Sequence, residues 1–192
     1  SGGAPPRPPR PPPGWEAGPL TVQFAASAVV NAASFKPDLS PGALASAFGS
    51  GLASPAGETT VEIAGQPALV LAALPFQLNF VLPNDLPPGS HPLTIRSPYG
   101  ATTQTIEIVP VSPAIFSLAN GRPAAVNQNG SLNAADSPAT RGQVLVLYAT
   151  GLGAVQRRGN LDYAQAAVEA TLEGRPLVVQ FAGLAPGFPG LY

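Results

Sequence analysis

The sequence repeats itself, and the repeat constrains the fold more than any single residue does. Residues 41–53 read PGALASAFGSGLA, and residues 141–153, one hundred positions later, read RGQVLVLYATGLG. A second echo follows each, VEIAGQPALVL from Val61 and VEATLEGRPLVV from Val168. A duplicated unit must close its own hydrophobic face or share one with its neighbour, so the repeat sets the domain count at two.

Composition says what each unit is made of. Charged residues are 10% of the 192, well under the ordinary share of about 25%, while 21 glycines and 25 prolines supply frequent turns. Short strands joined by fixed turns suit that balance, and a highly charged disordered chain does not. Leu20 to Phe24 alternates apolar and polar residues, as does Gln77 to Val81, and Leu93 to Arg96 and Thr103 to Val109 flank the turn Pro98-Tyr99-Gly100. Seven or so strands with a turn every ~8–12 residues is the pattern of an immunoglobulin-like sandwich.

The expected organisation is a Pro-rich extended tether over 1–19, an Ig-like sandwich over 20–110 and a second over 111–192. The tether carries Arg7-Pro8-Pro9-Arg10-Pro11-Pro12-Pro13, which reads as polyproline II, a spacer or a ligand for a proline-recognising domain, with Trp15 beyond it plugging the first unit. Val109 to Phe116, with prolines at 110 and 113, reads as a stiff extended hinge. After Gly65-Gln66-Pro67 the first copy continues through three more strands. After Gly174-Arg175-Pro176 the second reaches only Tyr192, so its C-terminal strands are expected to be missing.

Several function classes are weighed on the same residues. Nine basic and ten acidic residues give a net charge of −1 with no block of either sign, so nothing draws the chain to nucleic acid or anionic lipid. The longest apolar run, Ala68 to Phe76, contains Pro75 and falls far short of the ~20 residues that cross a bilayer. With no cysteine there is no disulfide, thiolate or ordinary structural zinc site.

His91 is the single histidine, and Phe48-Gly49-Ser50-Gly51-Leu52 lacks the outer glycine of a nucleophile elbow, so a serine hydrolase is not expected. The ten carboxylates are scattered, without the pair a glycosidase needs. Asn127 to Asp136 has oxygen ligands at odd spacing around Gly130, like a calcium loop, but lacks its aspartates and terminal glutamate; an Asn-Gly turn accounts for it. Gly151-Leu152-Gly153 is read as a turn and not a phosphate loop. No catalytic, cofactor-binding or metal residue is assigned.

Asn31 to Phe35, Pro41-Gly42 with Phe48 to Leu52, Gln77-Leu78-Asn79, Pro113 to Phe116, Asn127 to Ser131, Tyr148 to Gly153 and Phe181 to Gly187 stand in one order. Together they resemble an uncharacterised tandem Ig-like C-terminal domain family of acidobacterial secreted and cell-surface proteins. The resemblance runs from about Val29 to the last residue. It implies Ig-like domains and an extracytoplasmic place, in the periplasm, at the cell surface or secreted, and no activity. In that family a segment like Pro186 to Tyr192 leads into a Gln-x-Asn strand similar to Gln77 to Asn79.

The expected function is a non-catalytic protein-interaction or structural module, for binding or adhesion, with a protein partner and with glycan as a possible ligand. Phe188, Leu191 and Tyr192 are the expected partner-binding edge, against the alternative that the aromatics pack on their own domain. A rival expectation is an accessory subunit docked on the extracytoplasmic face of a larger membrane complex, such as an electron-transfer or photosynthetic assembly. A third is an appendage domain of a secreted enzyme.

Overall fold

A computed structural model describes residues 20–192, so the expected tether and Trp15 lie outside the described residues. The described chain is all-β. Its first seven strands are β1 (Gln23–Asn31), β2 (Leu44–Ser50), β3 (Thr60–Ile63), β4 (Gln66–Leu74), β5 (Gln77–Val81), β6 (Gly89–Ser97) and β7 (Gly100–Ile108). They run antiparallel in the order β1-β2-β5-β4-β3-β6-β7.

β4 is the corner of this order. Gln66, Pro67 and Ala68 pair with β3, and Leu69 to Leu74 pair with β5 past an irregularity between Val70 and Ala72. The strand therefore passes from one layer to the other, which leaves β1-β2-β5-β4 facing β3-β6-β7 in the strand arrangement of an immunoglobulin-like sandwich. The Thr102 hydroxyl donates to the Val22 carbonyl at 2.6 Å and ties the two layers together at one side.

Alternation places the core. Val61 and Ile63 of β3, Leu78 and Phe80 of β5, Leu93 and Ile95 of β6 and Ile106 and Ile108 of β7 point inward and are buried. They join Ala45 and Ala47 of β2 in one cluster whose every member lies between Val22 and Ile108. Burying a side chain such as Phe80, 0% exposed, contributes about 1.5–3 kcal/mol.

The remaining strands pair only in twos. They are β8 (Ala114–Ile115), β9 (Ala125–Asn127), β10 (Leu145–Leu147), β11 (Ala149–Thr150), β12 (Val155–Arg158), β13 (Leu161–Ala164), β14 (Ala170–Leu172) and β15 (Arg175–Leu177). β9 pairs with β10, β8 with β11, β12 with β13 and β14 with β15.

The repeat is visible in the ladders. In the first copy Asn31, Val30 and Val29 lie opposite Ala45, Ser46 and Ala47; in the second Asn127, Val126 and Ala125 lie opposite Leu145, Val146 and Leu147. The β3–β4 hairpin recurs as β14–β15. Ala64 and Gly65 turn the first at φ 51° and 80°, and Glu173 and Gly174 turn the second at 50° and 76°. Two left-handed residues in a two-residue loop form the turn that matches strand twist. The paired residues place Val61 with Ala170 and Ile63 with Leu172, so the shared Val-Glu letters at 61 and 168 are two positions out of structural register.

Candidate functional site

The two copies treat the same strand in opposite ways. Ala45, Ser46 and Ala47 of β2 are buried, and beyond them lies β5, with Phe80, Asn79 and Leu78 directly opposite. Their counterparts Leu145, Val146 and Leu147 are 40%, 45% and 37% exposed. β10 pairs with β9 on one side, and among the described residues no strand pairs with its other edge.

A second wall lies beyond β15. Counting from the equivalent hairpins, Val178 and Val179 correspond to Leu69 and Val70, the residues of β4 that pair with Val81 and Phe80 of β5. Leu177, Val178, Val179 and Phe181 are exposed, Val178 at 90%. β5 in the first copy thus lies between two strands whose counterparts in the second copy both present unburied apolar side chains.

Tyr192 marks one end of this place. Its amide donates to the Ala149 carbonyl at 2.7 Å and its carbonyl accepts the Ala149 amide at 2.8 Å. In the first copy the Phe76 carbonyl accepts the Gly49 amide at 3.1 Å, and Gly49 is the counterpart of Ala149. Tyr192 therefore occupies the position of Phe76, immediately before β5.

The three residues of the expected edge have different surroundings. Tyr192 is buried, and its hydroxyl donates to the Gly153 carbonyl at 2.7 Å. Burial pushes its phenol up from 10 to about 12, because the phenolate loses its hydration there. Leu191 is half-buried, and its carbonyl accepts the Ala185 amide at 2.8 Å. Phe188 is 64% exposed, on the rim of a shallow hollow shared with Arg157, Leu161, Asp162 and Leu184. Arg157 and Asp162 form an ion pair there at 3.0 Å.

Glycine explains how Tyr192 and its neighbours come so close to the first copy. A Cβ on Gly42 would meet the Tyr192 hydroxyl at 2.7 Å, and one on Gly190 would meet Val81 Cγ2 at 3.0 Å. Gly151, at φ +82°, lies against the Ser112 carbonyl, which accepts the Asn31 side-chain amide at 2.9 Å. The motif Gly151-Leu152-Gly153 thus sits where the copies touch, and its glycines are demanded by contact as well as by φ.

The other residues weighed from sequence have local partners. His91 Nε2 lies 2.7 Å from the Pro87 carbonyl. Asn127 donates to the Ser137 carbonyl at 2.8 Å and to Ser131 Oγ at 3.0 Å, and accepts from Asn133 at 2.9 Å. Gly130, at φ 84°, turns this loop, and its amide returns to the Asn127 carbonyl at 2.8 Å. Among the described residues no three His, Cys, Asp or Glu side chains gather as metal ligands would, and no helix is long and apolar enough to cross a membrane.

Sequence reasoning missed one surface. Leu69, Leu71, Leu74 and Phe76, in and just after β4, are 49–71% exposed, and the signal was present in the run Ala68 to Phe76, which was weighed only as a membrane span.

No family model matches the sequence, and no curated protein matches it. Among solved structures, the chain is similar to the Bacteroides ovatus mixed-linkage glucan utilization locus protein SGBP-B in complex with a mixed-linkage heptasaccharide. The identity is 12% and the TM-score 0.30, over 78% of this chain and 43% of that one, so the chain spans less than half of that protein's length.

Proposed function

We propose that this chain is a non-catalytic, extracytoplasmic protein-interaction module that engages its partner through the second copy, on the surface around β10. The carrying observation is the contrast between Ala45-Ser46-Ala47, buried beneath a neighbouring strand, and Leu145-Val146-Leu147, three consecutive apolar residues of the same strand in water. An uncovered edge bearing side chains of this kind invites pairing. The resemblance of the ordered motifs supports the extracytoplasmic place.

The exposed leucines of β4 favour the second reading, an accessory subunit on the extracytoplasmic face of a larger membrane complex, because a chain with apolar surfaces on both copies suits several neighbours.

The test is sedimentation of the tagged chain in gentle extracts of its native host, beside the variant V146K. The reading expects the wild type in an assembly heavier than 19.3 kDa and the variant released from it. Wild type sedimenting alone, or V146K retained in the assembly, contradicts it. Release only when membranes are solubilised favours the subunit reading.

A further inference from the structure

We infer that the outer face of β2 and β5 binds a neutral saccharide chain, stacked on Phe35 and Phe48 and held by the side-chain amides of Gln77 and Asn79. The site lies on the first copy and is independent of the surface around β10. Alternation builds it. Ala45, Ala47, Leu78 and Phe80 point into the core, so Ser46, Phe48, Gln77 and Asn79 point away from it. Register sets Phe48 beside Gln77 and Leu74 in one row, and Ser46 beside Asn79 and Ala72 in the next. In the row after that, a Cβ on Gly190 would meet Val81 Cγ2 at 3.0 Å and Leu44 Cβ at 3.2 Å, so the second copy closes the face at that end.

The amides are fixed in place and still have bonds to give. Asn79 Oδ1 accepts from Ser46 Oγ and from Gln77 Nε2, each at 2.9 Å. Asn79 Nδ2 and Gln77 Oε1 then have no partner among the described residues, and both reach solvent, since Ser40 Oγ alone is buried without one. Turning both amides over exchanges their atoms and still presents one NH₂ and one carbonyl side by side. A sugar hydroxyl both donates and accepts, so two adjacent hydroxyls complete this pair.

The aromatic half is held open. Phe35 adopts φ 56°, a left-handed conformation that a bulky residue rarely takes, and it is 63% exposed. Asn31 Oδ1 accepts the Ala33 and Ser34 amides at 2.9 and 3.2 Å and fixes the turn that carries it. The Phe35 and Phe48 rings lie 6.4 Å apart, tilted by 35°. Beyond Phe48 the face continues into a shallow hollow with Gln23, Ser50 and Gln104 on its walls, room for further sugar units.

Charge selects among ligands. β1, β2, β5 and β4 contain no Asp, Glu, Lys, Arg or His, whereas the opposite layer carries Glu62, His91, Arg96 and Glu107. A charged ligand finds no counter-charge in these four strands. An acyl chain or an apolar protein face laid here would leave the amide pair desolvated and unpaired. A pyranose meets both halves: its C–H face covers a phenyl ring, whose π face is the negative side, and its rim hydroxyls reach the neighbouring amides. Residues opposite one another on paired strands stand about 5 Å apart, so a sugar ring over Phe48 lies beside Gln77.

The test titrates cellohexaose, mannohexaose and xylohexaose into the 192-residue chain, with hexagalacturonate as the anionic comparison, and follows the side-chain NH₂ signals of Gln77 and Asn79 by NMR. At least one neutral chain is expected to shift both signals, with a dissociation constant on the order of 0.1–1 mM, as suits an open face. Phe35→Leu, apolar but without a π face, is expected to weaken binding about tenfold and Phe35→Trp to restore it, while both melt with the wild type. V146K is expected to bind sugar as the wild type does, so loss of the assembly and loss of the sugar are read separately.

No shift from any neutral chain at about 10 mM, well above that range, overturns the inference. So does full binding by F35L, or tighter binding of hexagalacturonate, which would hand the site to Lys36 beside Phe35. Shifts of the same signals with phosphatidylcholine vesicles or with protein concentration, and none with sugar, assign the face to lipid or to a second copy and equally overturn it.

Discussion

Leu44 and Thr150 meet across the two copies: the Leu44 amide donates to the Thr150 hydroxyl at 2.7 Å, and that hydroxyl donates onward to the Gly190 carbonyl at 2.8 Å. Thr150 is fully buried, so its one oxygen satisfies a strand of the first copy and the turn before Tyr192 where water cannot. Thr150→Val keeps the shape and leaves both groups unpaired. Urea unfolding is expected to show a loss of about 1–3 kcal/mol.

Gly151, next to Thr150, offers a backbone test of the packing around it. Alanine there would adopt φ +82° with its Cβ against the Ser112 carbonyl, whereas Gly159, at φ +61°, has nothing within 4 Å. Both substitutions carry the left-handed cost of about 1 kcal/mol, and only Gly151→Ala adds a clash with main chain. Thermal melts are expected to place Gly151→Ala well below Gly159→Ala. Equal melting temperatures would mean that Gly151 does not pack against the Ser112 main chain.

Tyr192 makes stability pH-dependent at the alkaline end. Its folded pKa, about 12, lies above the ordinary 10, so the unfolded chain gives up the proton first. The contribution of the buried phenol is complete below pH 10 and is lost as pH rises toward 12. Denaturant midpoints from pH 8 to 11.5 are expected to fall less steeply for Tyr192→Phe. That variant starts lower at neutral pH by about 1 kcal/mol, for the lost hydrogen bond to Gly153.

Phe80 tests where the core lies. It is the bulkiest fully buried side chain among the described residues, and Phe80→Ala is expected to cost about 3–5 kcal/mol. Phe188→Ala, at a residue 64% exposed, is expected to stay within about 0.5 kcal/mol of wild type.

What could be read from the sequence was what alternation and glycine encode. Gln77 to Val81 and Leu93 to Arg96 alternate because one face meets the core, and β5 and β6 fall on them. The repeated Gly51 and Gly151 mark equivalent backbone positions, both at positive φ. The two-residue offset between the Val-Glu letters and the paired strands was invisible, since strand register is set by the turn, and the two turn pairs share only their glycine. The placement of Tyr192 was equally hidden. Its burial depends on Gly42, a residue distant in sequence whose missing Cβ leaves room for the Tyr192 hydroxyl only once both copies are folded.

The central claim concerns one strand in two settings, and amide exchange on the chain alone tests it most directly. β2 and β10 are equivalent strands, one covered on both edges and one on a single edge. The account predicts that Ala45, Ser46 and Ala47 exchange only with global unfolding, and that amides within Leu145 to Leu147 exchange far faster. Equal, slow exchange of both strands in the isolated monomer would contradict it.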